Sequence, residues 1–281
     1  VNVVLPPISL NGPTMTIRKF PKEKMTMERL IEVGALSEDA AEFLKRLVKA
    51  RYNIFVSGGT GAGKTTFLNA LSDYIPQQER VITIEDSAEL QLKNVVNLVR
   101  LESRNSNVEG TNAVTIRELI KSSLRMRPDR VIVGEVRDAA AIDMLAAMNT
   151  GHDGSLSTGH ANSSGDMITR LESMVLMGVE LPLEAVRRQI ASAVDVIIHL
   201  GRLRDGSRKV LEIAEVTGMR EGLVELHTIY EFEEMVAGEE QKVTGRLRAR
   251  SELLHQEKFL RAGIAYKSVL CAEVRSEGAG V

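Results

Sequence analysis

Residues 58–65 read Gly-Gly-Thr-Gly-Ala-Gly-Lys-Thr, a complete Walker A loop, and no other stretch of the chain restricts its fold as tightly. Such a loop must follow a β-strand and open an α-helix. Its glycines let backbone N–H groups turn inward, and the helix N-terminus adds a partial positive charge that favours phosphate. The flanking sequence supplies both elements: a short apolar run from Asn53 to Ser57, then a helical pattern from Lys64 to Tyr74. In this setting Gly58, Gly59, Thr60, Gly61, Ala62, Gly63, Lys64, Thr65 and Thr66 are candidate ATP-binding residues. Lys64 is placed to reach the β- and γ-phosphates, and Thr65 to hold Mg²⁺.

The periodicity around the loop supports an α/β fold, a RecA-like P-loop core with a mostly parallel sheet flanked by helices. Residues 37–50 place Ala40, Phe43, Leu44, Leu47 and Val48 on one helical face, with Ser37 as N-cap. Apolar runs at 80–84, 95–100, 130–134 and 194–200 read as buried strands. Helices are expected near 115–126, 138–149, 164–177 and 182–193. Thr115 with Glu118 forms a capping box, and Asp138 caps the next helix. Asp205-Gly206 between two apolar runs signals a β-hairpin. Three units are expected: 1–36 as the remnant or end of an N-terminal domain and linker, 37–235 as the ATPase domain, and 236–281 as a helical tail. Residues 1–20 read as strand remnants with no partner strands, and the chain as a fragment or processed form lacking an N-terminal domain.

Composition narrows the class. With 281 residues and 43% hydrophobic side chains, the chain can bury one large core or two moderate ones. The 38 acids against 36 bases leave a net charge of -2, so no global field draws nucleic acid or acidic lipid. There is no tryptophan, aromatics are 4% of the chain, and base-stacking platforms are scarce, which argues against a nucleic-acid motor. Cys271 is the only cysteine, so no intramolecular disulfide forms, and the pattern fits a reducing compartment. No stretch approaches the ~20 apolar residues that cross a bilayer.

Hydrolysis needs carboxylates at strand ends near the loop. Glu135 closes the strand Val131-Ile132-Val133-Gly134, and Glu85-Asp86 with Glu89 follows Val81-Ile82-Thr83-Ile84. Each has a plainer reading as a strand-end acid or helix cap. In the common motor pattern an aspartate precedes the glutamate; here Gly134 stands in that place, which gives the acids after residues 80–84 a larger role. A third segment, 150–162, is dense in small polar residues around His152 and His160 and reads as a site loop. Either histidine can equally be structural. Met144, Met148, Met167, Met174 and Met177 read as core or interface packing, and Arg246, Arg248 and Arg250 as a solvated helix face.

Taken in order, the Walker A loop, ITIEDSAELQL (82–92), RLESRNSNVEG (100–110), PDRVIVGEVRD (128–138) and TGHDGSLSTGHANS (150–163) resemble the secretion and pilus ATPases, nearest the CpaF/TadA-like ATPases of tight-adherence pili in the type II/IV secretion superfamily. The likeness runs from about residue 1 to 235. It implies a catalytic pair in which Glu135 polarises water or metal and Glu85 acts as base, with His160 supporting the γ-phosphate. It also implies a hexameric ring, phosphate-reaching arginines for which Arg100 and Arg104 are the candidates, and Arg137 orienting Glu135. The partner implied is an inner-membrane platform protein, and the location is the cytoplasm, peripheral to the membrane's inner face. Against the motor reading stands a nucleotide-gated docking module with little turnover.

Overall fold

The structure, a computed structural model, describes residues 1–17, 19, 25–106, 112–235 and 243–270. Cys271, residues 107–110 of the third motif, and 236–242 and 271–281 of the expected tail lie outside the described residues.

Helix α1 (Met27–Glu32) and helix α2 (Glu38–Lys49) lead into strand β3 (Ile54–Gly58), which ends in the glycine loop; α3 (Lys64–Ser72) follows. Ser37 takes the N-cap backbone position of α2 as expected, yet its hydroxyl makes no capping bond. Next come β4 (Arg80–Glu85), β5 (Asn97–Glu102), α4 (Ile116–Ser123), β6 (Arg130–Val133) and α5 (Ala140–Asn149). The Thr115–Glu118 capping box is complete, and Asp138 Oδ1 accepts from Ala140 N at 2.8 Å. The chain continues through β7 (Leu156–Gly159), α6 (Ser164–Leu176), α7 (Leu183–Ala193), β8 (Val196–Arg202) and β9 (Arg208–Arg220). It then runs through β10 (Leu223–Met235), β11 (Thr244–Ala249) and α8 (Glu257–Arg261).

The main sheet runs β11-β10-β9-β8-β3-β7-β6-β4-β5. From β8 to β5 the strands are parallel; β9, β10 and β11 extend the sheet antiparallel. Alternate side chains of the buried strands feed two layers, the geometry a pleat imposes. Ile54, Val56, Ile132, Val196 and Ile198 meet α1, α2 and α3 on one face, while Phe55, Val131, Val133 and Ile197 meet α4 to α7 on the other. Met144, Met148, Met167 and Met174 are buried in the second layer; Met177 is exposed.

Four expectations change. The first concerns residues 1–20, where β1 (Asn2–Val4) and β2 (Thr14–Thr16) pair with each other in a separate two-stranded sheet. The second concerns 150–162: this segment is no continuous loop, because β7 passes through it between β3 and β6. Only Leu156 in β7 is large and apolar, so the strand lacks the usual signal. Its hydroxyls are instead satisfied by strand ends, Ser157 Oγ to Val133 O at 3.0 Å and Thr158 Oγ1 to Gly134 O at 2.8 Å. Third, the described part of the tail is not mainly helical. β11 lies against β10, and α8 has only 5 residues. Arg246 and Arg248 therefore sit on a strand and Arg250 just after it, with Arg248 paired to Glu233 and Arg250 to Glu231 and Glu233 of β10. Fourth, no helix follows Asp86 and Glu89, so neither acts as a helix cap.

Candidate active site

All the parallel strands point their carboxyl ends to one edge, where a doubly wound sheet gathers its functional loops. Gly58 ends β3 against β8: a Cβ there would stand 2.5 Å from Leu200 O, so only glycine fits. Gly63 forms the left-handed cap of α3 at φ +95°, a backbone state that other residues adopt at a cost. Between them Thr60 and Gly61 are exposed, and Ala62 N donates to Gly59 O at 3.2 Å. The first turn of α3, from Lys64 through Thr65 and Thr66, presents its unpaired N–H groups to the mouth of this loop.

The charged side chains at this edge stand in the order of the strands that carry them. Lys64, after β3, folds over the loop; its Nζ donates to Gly58 O at 3.0 Å and Gly59 O at 3.1 Å, and lies 3.1 Å from His160 Nδ1. An ammonium has only protons to give, so Nδ1 accepts and the imidazole proton belongs on Nε2. His160, after β7, brings that Nε2 within 2.8 Å of Glu135 Oε1. Glu135, after β6, accepts a hydrogen bond from Arg137 Nη2 at 2.6 Å through its other oxygen. Arg137 Nη1 in turn lies 3.6 Å from Asp86 after β4, and Ser103 Oγ donates to Asp86 Oδ1 at 2.9 Å. The His160 approach is off the line of a hydrogen bond. Glu135 Oε1 is thus a buried acceptor with no hydrogen-bond partner among the described residues.

Electrostatics follow from this crowding. Burial pushes the Lys64 ammonium down, against the attraction of Glu135 and with the repulsion of Arg137. His160 is held below the usual imidazole range, first by burial and then by Lys64 and Arg137, with Glu135 opposing. Its imidazole therefore stands neutral between a cation and an anion.

Glu85, at the end of β4, does not join this row. Its Oε2 accepts from Glu89 N and Leu90 N, both at 2.8 Å, and so ties down the loop after the strand. Burial raises its carboxyl above the ordinary range while those two amides and Arg100 oppose the shift. The side chain also explains the glycine at 134, because a Cβ there would come within 3.0 Å of Glu85 Cγ. Gly159 has a similar neighbour in Met167, whose terminal methyl fills the space a side chain would take.

Arg100 and Arg104 are exposed at the outer edge, on and just after β5. β7, β6 and β4 separate that edge from β3, a span of roughly 19 Å at ~4.8 Å per strand. Arg104 Nε donates to Asn112 O at 2.8 Å. His152 lies 3.2 Å from Ala147 O through Nδ1 and behind α5, in a structural setting.

Two residues at the site carried no sequence signal. Arg208 Nε donates to Gly61 O at 2.7 Å, and buried His199 meets Ser57 Oγ at 2.8 Å directly beneath the loop. Only the pairing of β8 with β3 and β9 brings them there.

A mostly parallel sheet with a glycine loop, a lysine and a strand-end carboxylate at its carboxyl edge defines a RecA-like α/β core. The chain belongs to the type II/IV secretion system protein family, whose model matches residues 2–271. It is 39% identical over 251 residues to a putative conjugal transfer protein of Mycobacterium tuberculosis, covering 89% of this chain and 70% of that one. It is 31% identical over 253 residues to the type IV secretion system protein VirB11 of Bartonella quintana, covering 76% and 69%. Among solved structures it resembles the VirB11 ATPase of Brucella suis in complex with sulphate, at 36% identity and a TM-score of 0.57, covering 70% of this chain and 60% of that one. The pilus retraction motor PilT with bound ADP shares the fold at 21% identity and a TM-score of 0.52, covering 93% and 60%. The chain thus spans less than two thirds of either solved chain.

Proposed function

We propose that this chain is an ATP-hydrolysing motor that powers pilus assembly or protein secretion. The row Lys64–His160–Glu135 at the mouth of the glycine loop, ending in an unsatisfied buried carboxylate oxygen, carries this reading. Backbone N–H groups of residues 59–65 and Lys64 hold the triphosphate, and Glu135 Oε1 is free to accept a proton from an attacking water. His160 keeps Lys64 and Glu135 at fixed separation and bears on the γ-phosphate. Glu85 serves as the second carboxylate: its Oε2 is tied to the loop, which leaves Oε1 for a proton. The Thr65 hydroxyl and the Glu135 carboxylate are hard oxygen donors of the kind that would hold Mg²⁺. Mg²⁺ supplies charge neutralisation on the phosphates.

Arg100 and Arg104 are exposed on the outer edge strand, four strand positions from β3, and we assign them to the site of a neighbouring copy in a ring, hexameric in this reading. The partner is a platform protein of the inner membrane in a tight-adherence type of machine. The chain works on the cytoplasmic face; among the described residues no helix is long and apolar enough to cross a membrane.

A second reading, a nucleotide-gated docking module, is favoured by one observation: residue 134 is a glycine with no carboxylate for Mg²⁺, and Glu85 Cγ would stand 3.0 Å from a Cβ placed there. Steady-state ATPase assays with titration of a fluorescent ATP analogue separate the two. The motor reading expects turnover that Lys64→Ala lowers at least about 100-fold. Tight binding with hydrolysis no faster than solvent selects the module, and no binding at all refutes both.

A further inference from the structure

The β8–β9 hairpin touches the glycine loop at two points. Leu200 lies beneath Gly58, closing off any side chain there, and Arg208 lies across the outside, its Cδ 3.3 Å from where a Cβ on Gly63 would stand. Arg208 Nε donates to Gly61 O at 2.7 Å. A trans peptide is planar, so a carbonyl held outward turns the next N–H the opposite way. Ala62 N–H accordingly points into the loop, where it meets Gly59 O at 3.2 Å. The guanidinium stays charged at every working pH, so this hold does not titrate.

Successive residues of a strand face opposite sides. Lys209, next after Arg208, extends away from the loop and donates Nζ to Gly34 O at 2.8 Å. Val210 N donates to Ala35 O at 2.8 Å. Gly34 and Ala35 belong to the connector between α1 and α2. Three consecutive residues of one strand therefore grip the phosphate loop on one side and the connector on the other.

We propose that Arg208 is a positioning residue for the phosphate loop, and that Arg208, Lys209 and Val210 together transmit the loop's nucleotide occupancy to the connector at residues 33–36. This rests on the nucleotide-binding reading above. Phosphates that draw the Ala62 N–H away from Gly59 O rotate the 61–62 peptide plane, which moves the carbonyl that Arg208 holds. β9 is continuous through Val210, so the shift reaches Ala35 without crossing a flexible segment.

The test uses the full chain, titrated with a fluorescent ADP analogue, together with hydrogen–deuterium exchange of residues 33–36 with and without saturating ADP. Wild type is expected to bind and to slow exchange in the connector. Arg208→Ala, at an exposed position, is expected to keep the wild-type melting temperature, weaken binding about five-fold or more, and lose the slowing even at saturation. Arg208→Lys restores only part of the affinity, because the charge remains but the fixed Nε–H is gone. Lys209→Ala keeps wild-type affinity and loses the slowing. Wild-type affinity in Arg208→Ala overturns the positioning role. Connector slowing that survives in the saturated Arg208→Ala variant, or is absent in wild type, overturns the transmission. Failure of wild type to bind ADP would instead refute the nucleotide reading itself.

Discussion

The two edges of the parallel sheet use the same residue types to opposite ends. At the amino edge of the strands Asn53, Arg130 and Lys258 are consumed by the fold. Asn53 donates to Met148 O and Ala193 O and accepts from Gly154 N and Ser155 N, so its amide is fully used. Arg130, with 0% exposure, grips both oxygens of Glu79 and caps Val48 O and Gly154 O. Lys258 reaches down from α8 to Asp153 and Asp195 at 2.8 and 2.6 Å. At the carboxyl edge Lys64, His160 and Glu135 are also partly buried and close together, yet Glu135 keeps an oxygen without a donor. Buried polar groups that are satisfied stitch a fold; a spare acceptor beside Lys64 at the mouth of the glycine loop, unlike the unpartnered hydroxyl of Ser37 at a helix cap, marks a place where chemistry enters.

Substitutions at the two edges should therefore fail differently. The largest effect expected is on stability: Arg130→Ala leaves Glu79 buried with only Arg51 at 3.2 Å, and should cost about 3 kcal/mol in chemical denaturation. Nucleotide affinity of the folded fraction should not change. His160→Ala comes next and inverts the pattern, lowering turnover about 10- to 100-fold with a melting temperature near wild type. A stability loss in His160→Ala as large as that of Arg130→Ala would erase the contrast between the edges. The smallest effect is Lys258→Met, about 1 kcal/mol of stability with unchanged ATP turnover, because Asp153 remains half exposed and Asn53 N still bonds Asp195.

How much of this was legible without coordinates follows the same division. β3, β4, β6 and β8 are apolar runs buried on both faces, and α2 to α7 show helical periodicity, so pattern alone placed them; α1 lay unread within the stretch taken as linker. β7 escaped because its burial is paid for by hydroxyl bonds to β6 and the turn after it rather than by apolar side chains. β11 escaped because its arginines alternate at a period that a charged helix face can also show, and its partners lie on β10. At the site, Lys64, Glu135 and His160 sit next to legible strand ends and could be named. Their order across the sheet could not, since it depends on β7 and β6 lying between β3 and β4. Arg208 and His199 were invisible for the same reason: each owes its place to the register of a long-range strand pair.

In the proposed mechanism Glu135 uses its spare oxygen on a water at the terminal phosphate. Its most direct measure is the turnover of Glu135→Gln at saturating ATP, set beside ATP affinity in the same variant. The amide keeps the shape but cannot take the proton, so turnover should fall at least about 100-fold while affinity stays within about three-fold of wild type. Turnover equal to wild type in that variant would rule out this role for Glu135.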